Sequence, residues 1–367
     1  MAWSDAVRTV NASVNIYPDI SRTSRVRTYE RDRILSIDIT EEAPCILLTR
    51  RISECTVRVT NDFRTNSAGW RGPAMSAVAV EDPAAMVGMF MSVNLLCGYA
   101  RLFHFVIDSV EATDDGATIH GLGLDSLLDR SFAEVGVSSE VSTSTLCMTW
   151  SLSLMEACGY VRSSIIYPSG FNSHCPRAYD FGEGASIREA LAGLQTWKGL
   201  VVGLTSDGKG AVGEPAGGGR VGPGSWSALG WPEPFMTDRV GTLVVKDPST
   251  GTEQEVVLDS TLSGRSEVSA PFTSDMASMG TVQGWARDRL AAQWYSVEVT
   301  GDAFLNAMNT ASATGGTVIV PCSAGGTVAV YTDAGGVERR VLMEALRVEH
   351  RYDGGFRQRL YGPVSTV

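Results

Sequence analysis

Apolar and polar residues alternate over long stretches of this chain, and this alternation constrains the fold more than any other feature. It is clearest in LRVEHRYDGGFRQRLYGP, residues 346–363, where two alternating runs flank Asp-Gly-Gly. Two such runs joined by a short glycine turn predict an antiparallel β-hairpin. FHFVIDSVEATDDGATIHGLGL, residues 103–124, predicts a second hairpin around Asp-Asp-Gly. The first and last thirds of the chain are therefore expected to be antiparallel β structure.

The middle of the sequence changes to a helical period. In residues 143–160 apolar side chains recur at helical spacing, and the run ends in Cys-Gly, a natural helix stop. A second helix is predicted for residues 186–197, because Ser186 followed by Glu189 is the capping-box pattern. Residues 215–234 are rich in Gly, Pro, Ser and Trp and are predicted to be a loop or linker.

Composition excludes several classes of protein. Hydrophobic residues make up 44% of the 367 residues, which is enough for a buried core. The formal net charge is −11, so the chain lacks the excess of cationic side chains with which a nucleic-acid-binding protein replaces the counterions of phosphate. The most apolar run, residues 84–107, is interrupted by glycine and polar residues, so it predicts buried strands and no membrane span.

The seven cysteines include no Cys-x-x-Cys pair and mostly lie in apolar runs. Buried, reduced thiols are the expectation. The N-terminal residues show no secretory signal, so assembly in a reducing bacterial cytoplasm is predicted.

No catalytic, cofactor-binding or metal-ligating residue is expected. His174 and Cys175 are the only adjacent imidazole and thiol, and neighbours in an extended segment point apart. The histidines and cysteines lack the short spacings of a four-ligand zinc site, and no glycine-rich loop ends as a phosphate loop does. A binding or architectural role is therefore predicted over an enzyme.

The order of these motifs resembles that of the tail hub proteins of bacteriophages, the baseplate or tail-tip hubs. DRILSIDITEEAPCILLTRRISECTVRVTND, residues 32–62, resembles the opening of that family. Residues 103–131, which end in DSLLDRS, are similar to its next signature. Residues 186–215 resemble its middle helix followed by a strand, a turn and a strand, and residues 346–363 resemble its closing hairpin.

The resemblance implies a mainly β fold with α+β inserts, in which two antiparallel β-barrel tube domains flank an α/β middle. The first barrel is expected in residues 1–130. The middle is expected in residues 131–234, with its linker at 215–234. The second barrel is expected in residues 235–367, with a helical insert near 276–295. Three chains would form a homotrimer in which six barrels imitate a sixfold tail tube.

The function implied is a structural hub at the tip of a phage tail or tail-like particle. It would close the tail tube, join it to the host-recognition apparatus and form part of the DNA conduit. The partners implied are distal-tail or tail-tube ring proteins, the tape-measure protein and tip or fibre proteins, while DNA passes without specific binding. No cofactor is implied, and the location implied is the virion.

Two alternative functions stay open. One is a distal-tail ring protein. The other is a tail-associated cell-wall hydrolase, which would need an added catalytic module, whereas this sequence stops directly after the last hairpin.

Arginines crowd the outer face of the last hairpin in a chain that is acidic overall. They are interpreted as candidate contacts with an acidic partner, a neighbouring subunit or a ring. The alternative is an ordinary solvated face of an antiparallel hairpin. DNA contact is disfavoured, because DNA must pass through a conduit without being bound. The candidate interface residues are Arg347, Arg351, Arg357 and Arg359.

Overall fold

Antiparallel β-sheet dominates the computed structural model of this chain, which confirms the predicted mainly β fold. The structure describes residues 11–42, 53–60, 83–96, 100–113, 116–162, 165, 173–198, 201–204, 210–215, 226–228, 232–235, 237–276, 279–301, 313–314, 317–320, 326–333 and 338–366. Cys45, Cys97 and Cys322 lie outside these residues.

The N-terminal strands follow the period-2 pattern. In β1 and β4, for example, every second residue is buried, as expected for strands with one face on a core. The strands are β1 (Asn11–Tyr17), β2 (Arg27–Glu30), β3 (Ile34–Glu42), β4 (Glu54–Thr60), β5 (Phe90–Leu96), β6 (Ala100–Thr113) and β7 (Gly116–Gly123). Single 3-10 turns lie at Arg31–Arg33, Pro83–Met86 and Leu124–Asp129.

The middle of the chain contains the predicted helices. The capping box at the second predicted helix is present, because the Ser186 N–H donates to Glu189 Oε2 at 2.9 Å and the Glu189 N–H donates to Ser186 Oγ at 3.2 Å. The elements are α1 (Phe132–Val135), β8 (Glu140–Val141), α2 (Cys147–Ala157), β9 (Tyr179–Asp180), α3 (Ile187–Lys198), β10 (Val201–Leu204), β11 (Gly210–Pro215) and β12 (Trp226–Ala228).

The C-terminal part returns to strands with one short helix. The strands are β13 (Glu233–Phe235), β14 (Thr242–Asp247), β15 (Thr252–Val257), β16 (Arg265–Ser269), β17 (Trp294–Gly301), β18 (Ala313–Thr314), β19 (Thr317–Val320), β20 (Gly326–Asp333), β21 (Glu338–Ala345), β22 (Arg347–Tyr352) and β23 (Phe356–Thr366). The helix is α4 (Gly280–Ala286), a 3-10 turn precedes it at Thr273–Asp275, and a π-helical turn follows it at Arg287–Ala291.

The helical insert is shorter than the range 276–295 expected for it. Trp294 does not belong to the helix but begins strand β17. Its indole N–H donates to the carbonyl of Asp288 at 2.8 Å, which holds the ring against the π-helical turn. The stretch 215–234, expected to be a loop or linker, contains strand residues where the structure describes it, because β12 and β13 both pair with β17.

One large sheet joins the two β-rich ends of the chain. Its strand order is β12-β17-β23-β22-β3-β4-β7-β6-β5-β1-β2, with β13, β20 and β21 attached at its C-terminal side. We call the β22–β3 pairing the seam. The register is antiparallel and runs from Arg347 opposite Glu42 to Tyr352 opposite Ile37. The seam therefore joins seven N-terminal strands on one side to β22, β23, β17 and β12 on the other.

Apolar clusters hold the described elements together. One is built by the N-terminal strands and includes Tyr352 from the C-terminal part, so the seam also closes a shared core. The second holds α2, α3 and their loops together with Phe272. The third lies between α4 and the three-stranded sheet β15-β14-β16. The limits of the two expected barrels stay a prediction.

Candidate interface on the charged face of the seam

The last hairpin has the predicted form, and it positions the candidate residues. β22 and β23 pair from Arg347–Tyr361 to Tyr352–Phe356, and Gly354 in the turn has a φ of 94°, which favours glycine. Val348, His350 and Tyr352 are buried, so the residues that alternate with them face outward. The charged face of the seam consists of Asp38, Glu298, Arg347, Glu349, Arg351, Asp353, Arg357 and Arg359.

Cross-strand pairing sets the order of the charges on this face. Arg359 of β23 lies opposite Glu298 of β17 on one side and opposite Glu349 of β22 on the other. In the neighbouring row Arg357 lies opposite Arg351. Like charges opposite each other destabilise a sheet, so this second row needs carboxylates nearby.

Two carboxylates supply that compensation. Asp353 Oδ2 lies 2.7 Å from Arg357 Nη2 and 3.6 Å from Arg351 Nε. Glu298 lies 3.6 Å from Arg357 Nη1 and 3.5 Å from Arg359 Nη2. With Asp38 and Glu349, the face holds four carboxylates against four guanidinium groups, so its formal charge is zero.

The four arginines differ in how firmly they are held. The side chains of Arg351, Arg357 and Arg359 are 61%, 46% and 52% exposed, so their ion pairs contribute little to folding. Arg347 is only 21% exposed. The three exposed guanidinium groups are the ones that a partner could engage.

Arg347 belongs to a compact group with Tyr361 and Glu349. Its Nη2 donates to Glu349 Oε1 at 2.7 Å, and its guanidinium carbon lies 5.1 Å from the centre of the Tyr361 ring. The Tyr361 hydroxyl donates to Glu349 Oε2 at 2.6 Å. Burial, followed by this hydrogen bond to a carboxylate, raises the pKa of Tyr361 to about 12. Arg347 therefore acts mainly within the fold.

A pocket of about 190 Å³ opens in the charged face. Its wall includes Asp38, Glu298 and the three exposed arginines, so both signs of charge reach it. Burial raises the pKa of Asp38 above its ordinary value, although Arg351 acts in the opposite direction. The pocket offers balanced charge and no concentrated field for a small anion or cation.

A buried polar group that the sequence did not reveal lies beneath this face. The side chain of His350 is fully buried, its Nε2 lies 2.9 Å from Glu41 Oε2, and its Nδ1 lies 3.1 Å from Gln358 Nε2. The ring packs against Phe103 with centroids 5.1 Å apart. Glu41 belongs to β3 and His350 to β22, so this group ties the two sides of the seam.

The described residues contain no candidate metal centre, because no group of three or more His, Cys, Asp or Glu side chains could hold an ion. His174 is exposed whereas Cys175 is buried, so these neighbours do point apart. No helix in the described part of the chain is long and apolar enough to cross a membrane.

Comparison with solved structures shows that the chain shares its fold with known tail proteins, one of them from a prophage. No model of a known protein family matches the sequence, and no curated protein sequence matches it either. The likeness therefore rests on structure and extends over nearly the whole chain. It confirms the tail-protein resemblance of the motif order at the level of the fold.

Two solved tail proteins illustrate the likeness. The 43 kDa tail protein of prophage MuSo2 from Shewanella oneidensis superposes with a TM-score of 0.58 at 12% identity, covering 96% of this chain and 98% of its own. The tail protein from Neisseria meningitidis MC58 superposes with a TM-score of 0.55 at 13% identity, covering 96% of each chain.

Proposed function

We propose that this protein is a structural hub at the tip of a phage tail or tail-like particle, and that three copies close the tail tube. The fold shared with two tail proteins over 96% of this chain supports a structural tail component. The same shared fold favours a structural role over an enzymatic one.

The observation that carries the proposal is the seam. Three C-terminal strands, β17, β23 and β22, with β12 of the middle beyond them, continue directly into the seven N-terminal strands β3-β4-β7-β6-β5-β1-β2. One chain thus presents two sheet sections side by side, one on each side of the seam. Three chains related by a closed threefold axis would present six such sections, as many as a ring of a sixfold tube has subunits.

The charge of the chain suits a passage for DNA. Binding to DNA depends on cations that replace the counterions of phosphate. The whole chain has a formal net charge of −11, and the charged face of the seam is proposed to point to a neighbouring subunit or ring and not into the channel. A channel lined by other surfaces of this acidic chain would give DNA no net attraction, so DNA could pass through it.

The exposed arginines of the seam are proposed as contacts with a neighbouring subunit or ring. Their present carboxylate partners lie at 3.5–3.7 Å, except for the shorter Arg357–Asp353 pair, and such long pairs can be exchanged for a partner's carboxylates. The partners proposed are distal-tail or tail-tube ring proteins, the tape-measure protein, and tip or fibre proteins. The proposed location is the tail tip of the virion, after assembly in the host cytoplasm.

Native mass spectrometry of the purified full-length chain tests the proposal. A hub predicts a species of three copies that persists on dilution. Six copies would favour a distal-tail ring instead, and a monomer at all concentrations would contradict both. A sample unfolded in urea and returned to buffer serves as a control that the oligomer reforms from single chains.

A further inference from the structure

Two buried thiols touch each other in the middle of the chain. The Sγ atoms of Cys147, at the start of α2, and Cys175, in the segment before β9, lie 3.5 Å apart. Cys147 is fully buried and Cys175 is 3% exposed. Neither forms a disulfide in this structure, and neither do Cys55 and Cys158.

The backbone holds this contact in place. Leu146 and His174 form an isolated antiparallel bridge. The Cys147 N–H donates to the Ser173 carbonyl, and the Cys175 N–H donates to the Thr145 carbonyl, each at 2.9 Å. Leu146 and His174 face one side of the bridge, so Cys147 and Cys175 face the other side together. Their proximity thus follows from the fold as well as from the side-chain rotamers.

The separation of the two sulfur atoms leaves a short approach to a covalent bond. A disulfide needs its sulfur atoms roughly 2 Å apart, so these two atoms must approach each other by about 1.5 Å. Each sulfur moves on rotation about its own Cα–Cβ bond, and both rotations can contribute. The surroundings belong to the apolar cluster of α2 and α3, and within the described part of the chain these two thiols belong to no group of three or more side chains that could hold a metal ion.

We propose that Cys147 and Cys175 form a disulfide when the protein meets a peroxide outside a reducing compartment. The Cys175 thiolate attacks one oxygen of hydrogen peroxide, which yields a sulfenic acid on Cys175 and hydroxide. The Cys147 thiolate then attacks that sulfur and displaces a second hydroxide. The two protons lost by the thiols neutralise both hydroxides, so two thiols and one peroxide give one disulfide and two water molecules.

The order of attack follows from exposure, because of these two thiols only Cys175 has any exposed surface. Hydrogen bonding with Cys147, together with burial, raises the pKa of Cys175, so its thiolate is scarce and the reaction is slow. A slow reaction leaves the pair reduced during assembly. The statement that oxidation follows the release of a particle rests on the proposed function. The formation of the disulfide does not rest on it.

Oxidation of the purified full-length chain tests the bond. The protein is treated with hydrogen peroxide, its remaining thiols are alkylated, and intact mass and proteolytic peptides are measured. We expect a mass lower by two hydrogens before alkylation, and one crosslinked peptide pair joining Cys147 and Cys175. The urea midpoint of the oxidised form should rise, because the bond restricts the unfolded chain.

Three variants sharpen the test. Cys158→Ala removes a buried thiol of the same cluster and should leave the crosslink unchanged. Cys147→Ala and Cys175→Ala should each abolish it. The proposal is overturned if the crosslink joins other cysteines, if these sulfurs gain oxygen without pairing, or if the folded chain stays reduced while the urea-unfolded chain oxidises. Because the readout is a covalent bond in the purified chain, it is independent of copy number and of tail function.

Discussion

Reversal of two exposed arginines on the charged face of the seam separates an interface from a solvated surface. Arg357→Glu with Arg359→Glu places two carboxylates beside Glu298 and Asp353, which now accept pairs at 2.7–3.6 Å. Two unit charges about 3.5 Å apart interact by roughly 1 kcal/mol in water, and salt reduces this further. Folding should therefore lose only about 1–2 kcal/mol.

Assembly should lose more than folding if these arginines meet a partner. Breaking a desolvated charge pair across an interface costs about 2–5 kcal/mol, which is at least a roughly 30-fold weaker association. Sedimentation velocity over a range of concentrations measures this change, and circular dichroism checks that the fold is kept.

The chain offers a matched control for net charge. Arg162→Glu with Arg265→Glu makes the same change at side chains that are 51% and 53% exposed and that also pair with glutamates. This variant should sediment like the unchanged protein. If both variants weaken association equally, net charge alone is responsible. If the Arg357→Glu and Arg359→Glu double variant associates like the unchanged protein, these two arginines belong to an ordinary solvated face.

Three further outcomes follow from buried groups. Asp247 is 1% exposed and accepts hydrogen bonds from Ser249, Phe272 and Ser274, so Asp247→Asn should lower the free energy of unfolding by about 2 kcal/mol in urea titrations. Burial raises the pKa of Asp247, but the hydrogen bonds from Ser249 and Ser274 outweigh it and leave that pKa below its ordinary value. The stability that this carboxylate contributes is therefore complete above the ordinary pKa of Asp and is lost as the pH falls through the pKa of the folded state. In Asp247→Asn the free energy of unfolding should consequently fall less steeply on the acid side of its pH profile. An acid side as steep as that of the unchanged protein would contradict this reasoning. A Cβ on Gly362 would lie 1.7 Å from the Glu344 carbonyl oxygen, so Gly362→Ala should lower the free energy of unfolding by about 3 kcal/mol. The control is Gly355→Ala, because the space around Gly355 is open. It should change the free energy of unfolding by less than about 0.5 kcal/mol.

Local features of the fold could be read from the sequence. The last hairpin and the capping box at Ser186 and Glu189 each depend on residues only a few positions apart, so their patterns are complete within a short window. The limit of this reasoning is visible at Trp294, which lies in the helical insert expected near 276–295 but begins β17 in the structure. Its partners there, Phe235 of β13 and Pro363 of β23, are distant in sequence, so no local pattern predicts this boundary.

The candidate site could be predicted only in part. Alternation in β22 and β23 places the four arginines on one face, and the structure has them there. Their carboxylate partners Asp38 and Glu298 come from β3 and β17, and the buried Glu41–His350 contact joins residues 309 positions apart. No local pattern encodes which distant strands become neighbours, so the seam and its charge balance needed the structure.

Electron cryomicroscopy of the intact particle tests the central claim most directly. The account predicts three copies of this chain at the tail tip, with six sheet sections around a central channel and each seam lying within one chain. A ring of six copies, or a tip without this chain, would contradict the account.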